Sequence, residues 1–324
     1  MFRIVQAVAA AALFAFASGA GAEEFPSRPI TIIVPFAAGG PTDTIARIIG
    51  ERMRVSLGQP VLVENVTGAS GSIGGARVAR SQPDGYTLAI GHWATHVLNG
   101  AILALPYDVL NDFEPIGLIA TGPQLIIGKN GLAAKTLAEL IAWLKADPGK
   151  AAAGTAGPGT GSHVAAVFFQ NQTGTQFQFI PYRGAGPALN DMIAGHIDLM
   201  FDQASNSLGQ VKSGTIKAFA VTAKTRLPSA PEIPTVDEAG LPGLYVDYWH
   251  GLWAPKRTPK EVIAKLNAAL SETLADPAAR KRLAELGQEL PAGDQQSAEA
   301  LARHQKAEVD KWWPIVKAAN IKAE

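Results

Sequence analysis

Three glycine-rich segments, residues 36–43, 154–163 and 181–187, have the residue types best suited to chemistry in this sequence. Each follows a predicted strand and leads into a predicted helix. The first turn of a helix has backbone N–H groups without intrahelical partners and a partial positive charge, so it attracts an anion. Glycine leaves the backbone open to that anion. The pattern predicts that the three turns together bind a carboxylate; the alternative is that the glycines only permit tight loops.

The first of these turns carries a proline just after two glycines. Pro41 suits the first helical position, where its missing N–H costs nothing, so we predict Gly40 as the N-cap and Asp43 two positions further inside. The helix then shows an apolar stripe that ends before Gly58, a residue suited to a left-handed stop.

Three polar side chains near the second and third turns have a functional and a structural interpretation each. His163 is expected to donate a hydrogen bond to a bound carboxylate or to cap its own loop. Asp202, after a predicted strand, is expected to accept from a ligand amine or water, or to pin the neighbouring loop. Arg183 is expected to reach a second ligand carboxylate or to lie on the surface.

Other chemistries lack their sequence patterns. The glycines of residues 68–75 have neither dinucleotide spacing nor the lysine of a phosphate-binding loop. His92 and His96 stand four apart like a metal pair, but no third ligand lies near them in sequence, so we predict no metal site. No hydrolase motif occurs, and Ser162 beside His163 is the one candidate nucleophile and base. We therefore predict no catalytic residue and no cofactor.

The N-terminus predicts export. Arg3 precedes an apolar run that ends in Ala20-Gly21-Ala22, which is typical of a secretory signal peptide, so we predict residues 1–22 as the signal and cleavage after Ala22. The chain has no cysteine, which excludes disulfides and thiolate metal sites. Loss of Arg3 leaves 27 of the 28 basic residues against 28 acidic ones. That balance, without a basic tract, argues against nucleic acid as a partner.

Strand-like and helix-like segments alternate along the chain and predict an α/β fold, which at this length favours two domains. Predicted strands are residues 30–34, 61–63, 86–90, 115–120, 125–128, 150–154, 177–181, 197–201 and 216–222. Predicted helices follow the first turn at 41–57 and lie at 75–81, 136–145, 162–171, 187–194, 259–275, 277–286 and 297–319.

A series of short segments, in this order, resembles one family. The segments are residues 29–43, 63–71, 82–88, 105–113, 181–184, 193–195, 234–240 and 251–255. They are similar to the Bug receptors, the extracytoplasmic solute-binding proteins of tripartite tricarboxylate transporters. The resemblance extends over essentially the whole mature chain.

The resemblance implies a fold and a ligand cleft. It implies an α/β, two-domain clamshell of the periplasmic-binding-protein type (type II-like, Venus flytrap), in which each domain is a mixed sheet flanked by helices. Domain 1 would comprise residues 23–123 and 246–324, domain 2 residues 124–245, with the ligand between them and hinge strands near 125–128 and 245–253. In this family the first turn and the turn at 155–163 hold a ligand carboxylate from opposite sides.

Combining the resemblance with the residue chemistry gives a predicted ligand site and role. The predicted ligand-binding residues are Phe36, Ala37, Ala38, Gly39, Gly40, Thr42, Asp43, His92, Trp93, Thr155, Gly157, Gly159, Thr160, Ser162, His163, Arg183, Gly184 and Asp202. His92 and Trp93 replace the smaller residues usual in the family, so Trp93 is expected to stack on an aromatic acid or to fill space.

The predicted role is a non-catalytic periplasmic receptor, monomeric by family analogy. It would capture a di- or tricarboxylate, an acidic amino acid or an aromatic acid and deliver it to a membrane permease. A receptor for a signalling partner and, less favoured, a secreted hydrolase that uses Ser162 and His163 are the alternatives.

Overall fold

The computed structural model describes residues 24–318 and residue 321. The predicted signal peptide, residues 1–22, lies outside the described residues. Within the described part of the chain, no helix has the length and apolar character needed to cross a bilayer.

The strands and helices alternate as expected. The strands are β1 Ile30–Val34, β2 Val61–Asn65, β3 Thr87–His92, β4 Phe113–Lys129, β5 Ala152–Thr155, β6 Gln178–Pro181, β7 Leu199–Gln203, β8 Ile216–Val221 and β9 Asp247–Pro255. The helices are α1 Pro41–Leu57, α2 Ser72–Ala79, α3 Asn99–Ile102, α4 Leu137–Ala146, α5 Gly161–Thr173, α6 Ala185–Ile193, α7 Ala204–Lys212, α8 Lys260–Ala275, α9 Pro277–Glu285 and α10 Ala298–Ala318. A short π-helix, Ala94–Leu98, runs directly into α3.

The strands form a mixed sheet in the order β2-β1-β3-β9-β4-β7-β5-β6, with β8 also paired to β4. Residues 113–123 of β4 pair with β9, whereas residues 124–129 pair with β7 and β8. We call β1, β2, β3, β9 and residues 113–123 the first sheet half, and residues 124–129 with β5–β8 the second sheet half. Strand β4 therefore belongs to both halves and connects them.

Two predictions about elements were wrong. The segments 115–120 and 125–128, expected as separate strands, are parts of the single strand β4. The gap between the two predicted segments contains Gly122 and Pro123, and proline cannot donate to a sheet ladder. Residues 121–123 nevertheless pair with residues 247–249 of β9, so the strand continues through the gap. Helix α7 was not expected, because its residues Ala204–Lys212 are mostly small and polar and lack strong helix formers.

The features predicted around the first turn are confirmed. Strand β1 is buried on both faces, as expected for a β-branched run between parallel neighbours. Helix α1 begins at Pro41 with Gly40 as its N-cap, and Gly58 stops it in the left-handed region at φ 65°. The buried face of α1 includes Ile45, Ile49 and Met53. This burial holds the start of α1 against the end of β1.

Candidate functional site

A cavity of about 240 Å³ lies between the two sheet halves, at the ends of the glycine-rich turns. The residues that line it are Phe36, Gly68, Ala69, Ser70, Gly71, Leu103, Ala156, Gly157, Pro158, Pro181, Tyr182 and Arg183. The cavity therefore brings together parts of all three predicted turns. Of the predicted ligand-binding residues, Phe36, Gly157 and Arg183 lie on its wall, and the others are not part of the wall.

Asp43 organises the first turn. Its carboxylate accepts hydrogen bonds from Gly39 N at 2.9 Å, from Asn65 Nδ2 at 3.0 Å, and from two nitrogens of Arg47 at 2.9 and 3.0 Å. Asn65 Nδ2 also donates to Phe36 O at 2.9 Å. Burial acts to raise the pKa of Asp43, but the hydrogen bonds from Arg47, Gly39 and Asn65 outweigh it and hold this pKa below its usual value. The carboxylate thus fixes the turn that carries Phe36.

The second turn is held by its own side chains. Three of its amides donate to them: Ala156 N to Ser162 Oγ at 2.9 Å, Gly157 N to Thr155 Oγ1 at 3.3 Å, and Gly159 N to His163 Nδ1 at 3.0 Å. The Thr160 hydroxyl donates to Gly157 O at 2.6 Å. The amides of Gly157 and Gly159 are therefore occupied within the turn. His163 takes the role of capping its own loop through Nδ1.

The first turns of the helices that follow these two glycine-rich turns have backbone N–H groups without a hydrogen-bond acceptor. Among the described residues, the backbone amides of Thr42 and Asp43 in α1 and of Gly161 and Ser162 in α5 donate no hydrogen bond. These are the first-turn N–H groups that favour an anion.

The third turn packs directly against the first. Ala37 N donates to Arg183 O at 3.1 Å. A Cβ atom on Gly186 would lie 3.2 Å from both Gly39 C and Gly40 N, and one on Gly184 would lie 3.2 Å from Ala37 N. The glycines of this turn therefore allow the two sheet halves to meet through backbone. This contact is a different use of glycine from the predicted capture of an anion.

A fourth turn, residues 68–71 between β2 and α2, also lines the cavity. Ala69 at φ 43° and Ser70 at φ 54° adopt left-handed conformations that are rare for residues with side chains. Asn99 Nδ2 holds this turn by donating to Ser70 O at 3.0 Å. The Ser70 hydroxyl donates to Pro158 O, and both residues line the cavity.

In the sequence, these glycines were assigned to the family resemblance and considered for nucleotide binding, but the turn was not predicted as part of the ligand site. The signal that could have identified it is its position between a strand and a helix, which it shares with the other three turns.

A buried aromatic and histidine cluster lies behind Phe36. The Phe36 ring stacks on His92 with centroids 5.0 Å apart and planes 14° apart, and the Tyr248 hydroxyl lies 3.1 Å from His92 Nδ1. Thr42 Oγ1 lies 3.3 Å from His250 Nε2. Burial lowers the pKa of His92 well below its ordinary value and lowers the pKa of His250 to about 3. Both imidazoles are therefore neutral near pH 7 and support the cavity wall without adding charge.

Trp93 and Asp202 are buried and do not line the cavity. Trp93 is fully buried between Tyr248 and Trp312, so it fills space in the core instead of stacking on a ligand. Asp202 lies within β7, not after its end, and its Oδ2 accepts from Asn206 Nδ2 at 2.7 Å. Burial raises the pKa of Asp202 to about 7.

Arg183 is the candidate ligand-binding side chain with free charge. It is exposed and borders the cavity. Within the described residues, its guanidinium makes no hydrogen bond or ion pair, although its carbonyl pairs with Ala37. Arg183 therefore lies on the surface and also borders the cavity, and its contact with a ligand carboxylate stays a prediction.

Ser162, the candidate nucleophile, takes part in the hydrogen bonds of its own turn. The Ser162 hydroxyl oxygen accepts from Ala156 N and lies 3.1 Å from Thr160 Oγ1, so it belongs to the turn's own network. No cluster of three or more histidine, aspartate or glutamate side chains that could hold a metal occurs among residues 24–318 and 321.

Comparison with known proteins finds one family and several close structures. A family model for the tripartite tricarboxylate transporter family receptor matches residues 45–321. The periplasmic binding protein BugD is 40% identical with a TM-score of 0.88, over 92% of this chain and 100% of that chain.

Two structures from Rhodopseudomonas palustris are also similar. MatC (Rpa3494), solved with bound malate, is 38% identical with a TM-score of 0.87, over 90% of this chain and 100% of that chain. Rpa4515, solved with adipate, is 33% identical with a TM-score of 0.88, over 92% and 99% of the two chains.

Proposed function

Because this chain belongs to the tripartite tricarboxylate transporter family of receptors, we propose that it captures a small organic carboxylate in the periplasm and delivers it to a tripartite tricarboxylate-type permease. The family and its structural neighbours are periplasmic solute-binding proteins, not enzymes. The two-domain mixed α/β fold predicted from the resemblance is confirmed by BugD and MatC.

The domain limits that we propose are residues 23–123 with 246–324 for domain 1 and residues 124–245 for domain 2. The pairing of β4 supports them, because its partner changes from β9 to β7 between Pro123 and Gln124. Strand β9 begins at Asp247, opposite Pro123. Two strands crossing at one level form a hinge about which two domains can close.

The observation that carries the proposal is the cavity itself. It lies between the two sheet halves, and its wall includes Arg183, whose guanidinium makes no hydrogen bond or ion pair among the described residues. Beside it are the starts of α1 and α5 with their unoccupied amides. Positive charge from both domains around one small cavity suits a negatively charged ligand, and such a ligand would stabilise the closed arrangement.

The direct test is a thermal-shift screen of the mature protein with dicarboxylates, tricarboxylates, acidic amino acids and aromatic acids, followed by calorimetry. A true ligand at about a hundred times its Kd adds roughly 2.7 kcal/mol of stability, which raises the melting temperature by a few degrees. Malate and adipate are the first probes, because relatives were solved with them. If no carboxylate stabilises the protein or releases heat, the proposal fails.

Delivery and location need separate tests. N-terminal sequencing of the periplasmic protein should begin at Glu23. Deletion of the gene should abolish uptake of the identified ligand, whereas loss of ligand-dependent gene induction with normal uptake would indicate a signalling receptor instead.

A further inference from the structure

We infer that the ligand of this cavity is a carboxylate that lacks an amino group, so the protein selects organic acids over the amino acids of the same carbon skeleton. The inference rests on the proposed function, because it concerns the same cavity between the sheet halves. The inference is based on the distribution of charged and polar residues on the cavity wall.

The wall has one formal charge. Of the described residues that line the cavity, Arg183 alone is charged, and it is a cation. A guanidinium matches a carboxylate in charge and in the planar geometry of its donors. The wall therefore provides a partner for a ligand anion and none of opposite sign for a ligand ammonium.

The carboxylates of the surrounding turns and strands are already engaged elsewhere. Asp43 accepts from Arg47 and Asn65, and Asp202 accepts from Asn206. Asp191 accepts from the Tyr182 hydroxyl at 2.6 Å. None of these carboxylates lines the cavity, so an α-ammonium group desolvated there would have no carboxylate on the wall to pair with, and an unpaired buried charge is strongly unfavourable.

The rest of the wall suits an apolar ligand body. Phe36, Leu103, Pro158 and Pro181 contribute side chains without polar atoms. The cavity volume of about 240 Å³ is below the range of about 300–1,000 Å³ that is usual for ligand pockets, which favours a small ligand. A small aliphatic or aromatic acid fits both the volume and the apolar wall.

The test uses pairs of probes that differ only by the ammonium group: succinate with aspartate, adipate with 2-aminoadipate, and 3-phenylpropionate with phenylalanine. Calorimetry on the wild-type mature protein should give at least a tenfold tighter Kd for the acid than for the amino acid in every pair that binds. Equal or tighter binding of the amino acid overturns the inference but leaves carboxylate capture intact. If neither these probes nor the wider carboxylate screen binds, carboxylate capture itself fails.

Two matched substitutions test the physical cause. Leu103→Asp would place a carboxylate on the wall, and Leu103→Asn is its uncharged control of the same shape. We expect Leu103→Asp alone to shift the preference toward the amino acid by tenfold or more. Circular dichroism and the melting temperature of each variant show whether it is folded, and the ratio of the two Kd values cancels any common loss of affinity. An unchanged ratio in a folded Leu103→Asp variant also counts against the inference.

Arg183→Gln completes the set. This variant should weaken every acid that binds, because the guanidinium is the wall's one cation. Arg77→Gln, in an exposed ion pair with Glu64 outside the cavity, is the control and should bind like the wild type. If Arg183→Gln binds the acids as tightly as the wild type, the charge of Arg183 does not contribute to ligand binding and the inference is contradicted.

Discussion

Asp43 acts on the turn that bears Phe36 rather than on an anion in front of it. A carboxylate in the first turn of a helix would repel an anionic ligand if it were free. The ion pair with Arg47 compensates the negative charge of Asp43. The hydrogen bonds from Gly39 and Asn65 let the carboxylate fix the conformation of the turn. The residue type was visible in the sequence, but its partner Asn65, 22 positions away, was not.

Asp43→Asn should weaken ligand binding by about tenfold, because one amide cannot accept all the hydrogen bonds that the carboxylate accepts. The unfolding free energy should fall by about 1–3 kcal/mol, the usual cost of leaving buried donors unpaired. Calorimetry and urea unfolding measure the two effects. Glu51→Gln, which breaks the exposed ion pair with Arg54 on the same helix, is the control and should change neither. Wild-type affinity in Asp43→Asn would show that ligand binding does not need the hydrogen bonds of the Asp43 carboxylate.

Asp202 predicts a specific dependence of stability on pH. Burial raises its folded-state pKa to about 7, whereas the unfolded chain loses this proton near the ordinary value of 3.8. Between these values the native state binds more protons, so this group's contribution to stability falls as pH rises from about 4 to about 7. Burial lowers the pKa of His96 and His250 to about 3, and these groups act in the opposite direction below about pH 6.5.

Asp202→Asn should remove the contribution of Asp202 alone. The difference in unfolding free energy, variant minus wild type, should rise with pH by about 1.4 kcal/mol per unit between pH 4 and 7 and then level off. The histidine contributions cancel in this difference. Urea unfolding at pH 5, 6, 7 and 8 measures it, and the exposed Asp294→Asn is the control. A difference that is flat with pH would mean that Asp202 ionises normally in the folded protein.

Among the elements, the glycine-rich turns follow one pattern in the sequence but have distinct roles. Residues 36–43 and 154–163 lead into helices α1 and α5, whose first amides are unoccupied. Residues 181–187 form the contact with the first turn, through Ala37 N and Arg183 O and through Gly186. Local sequence could not separate these roles, because all of these turns lie between a strand and a helix.

Gly186→Ala should impair closure without harming either sheet half. The three atoms nearest to its added Cβ are backbone atoms of Gly39 and Gly40, at 3.2–3.3 Å, and Gly186 has no left-handed backbone to strain. Ligand affinity should fall tenfold or more, and small-angle scattering should show a more open ligand-saturated protein. Gly209→Ala in helix α7, where a Cβ meets nothing within 4 Å, is the control and should bind normally. Normal affinity in both variants would contradict a role for this contact in closure.

In the molecule as a whole, the two sheet halves are joined where β4, β8 and β9 meet. Thr222 is fully buried there, and its hydroxyl accepts from Gln124 N at 3.0 Å and lies 3.0 Å from Val246 O, to which it donates. One side chain thus connects the middle of β4 with the residue that precedes β9. This connection ties the crossing strands to each other between the two sheet halves.

Thr222→Val keeps the shape of the side chain but removes these bonds. The unfolding free energy should fall by about 1–3 kcal/mol, because Gln124 N is left without its acceptor in a buried position. Urea unfolding measures the loss. The exposed Thr215→Val is the control and should stay within about 0.5 kcal/mol of the wild type. Equal stabilities of the two variants would show that the hydroxyl does not stabilise the hinge.

The order of strands, turns and helices was readable from the sequence because it depends on local signals. The β-branched run 30–34, Pro41 after Gly40 and the stop at Gly58 act over a few residues, and each prediction is confirmed. The family resemblance rested on short local segments for the same reason. The continuity of β4 could not be predicted from the sequence, because it depends on pairing with β9, a strand more than 100 residues further along the chain.

Contacts across the cavity were decided by tertiary structure alone. Ser70 and Pro158 are 88 residues apart, and Ala37 reaches Arg183 from the other sheet half. No local pattern encodes contacts between residues so far apart, so the sequence left open whether Trp93 stacks on a ligand or fills space, and the turn 68–71 was not predicted at the site. Residue types in the sequence set which charges the protein can offer a ligand, whereas the packing of the two halves set which of those charges faces the cavity.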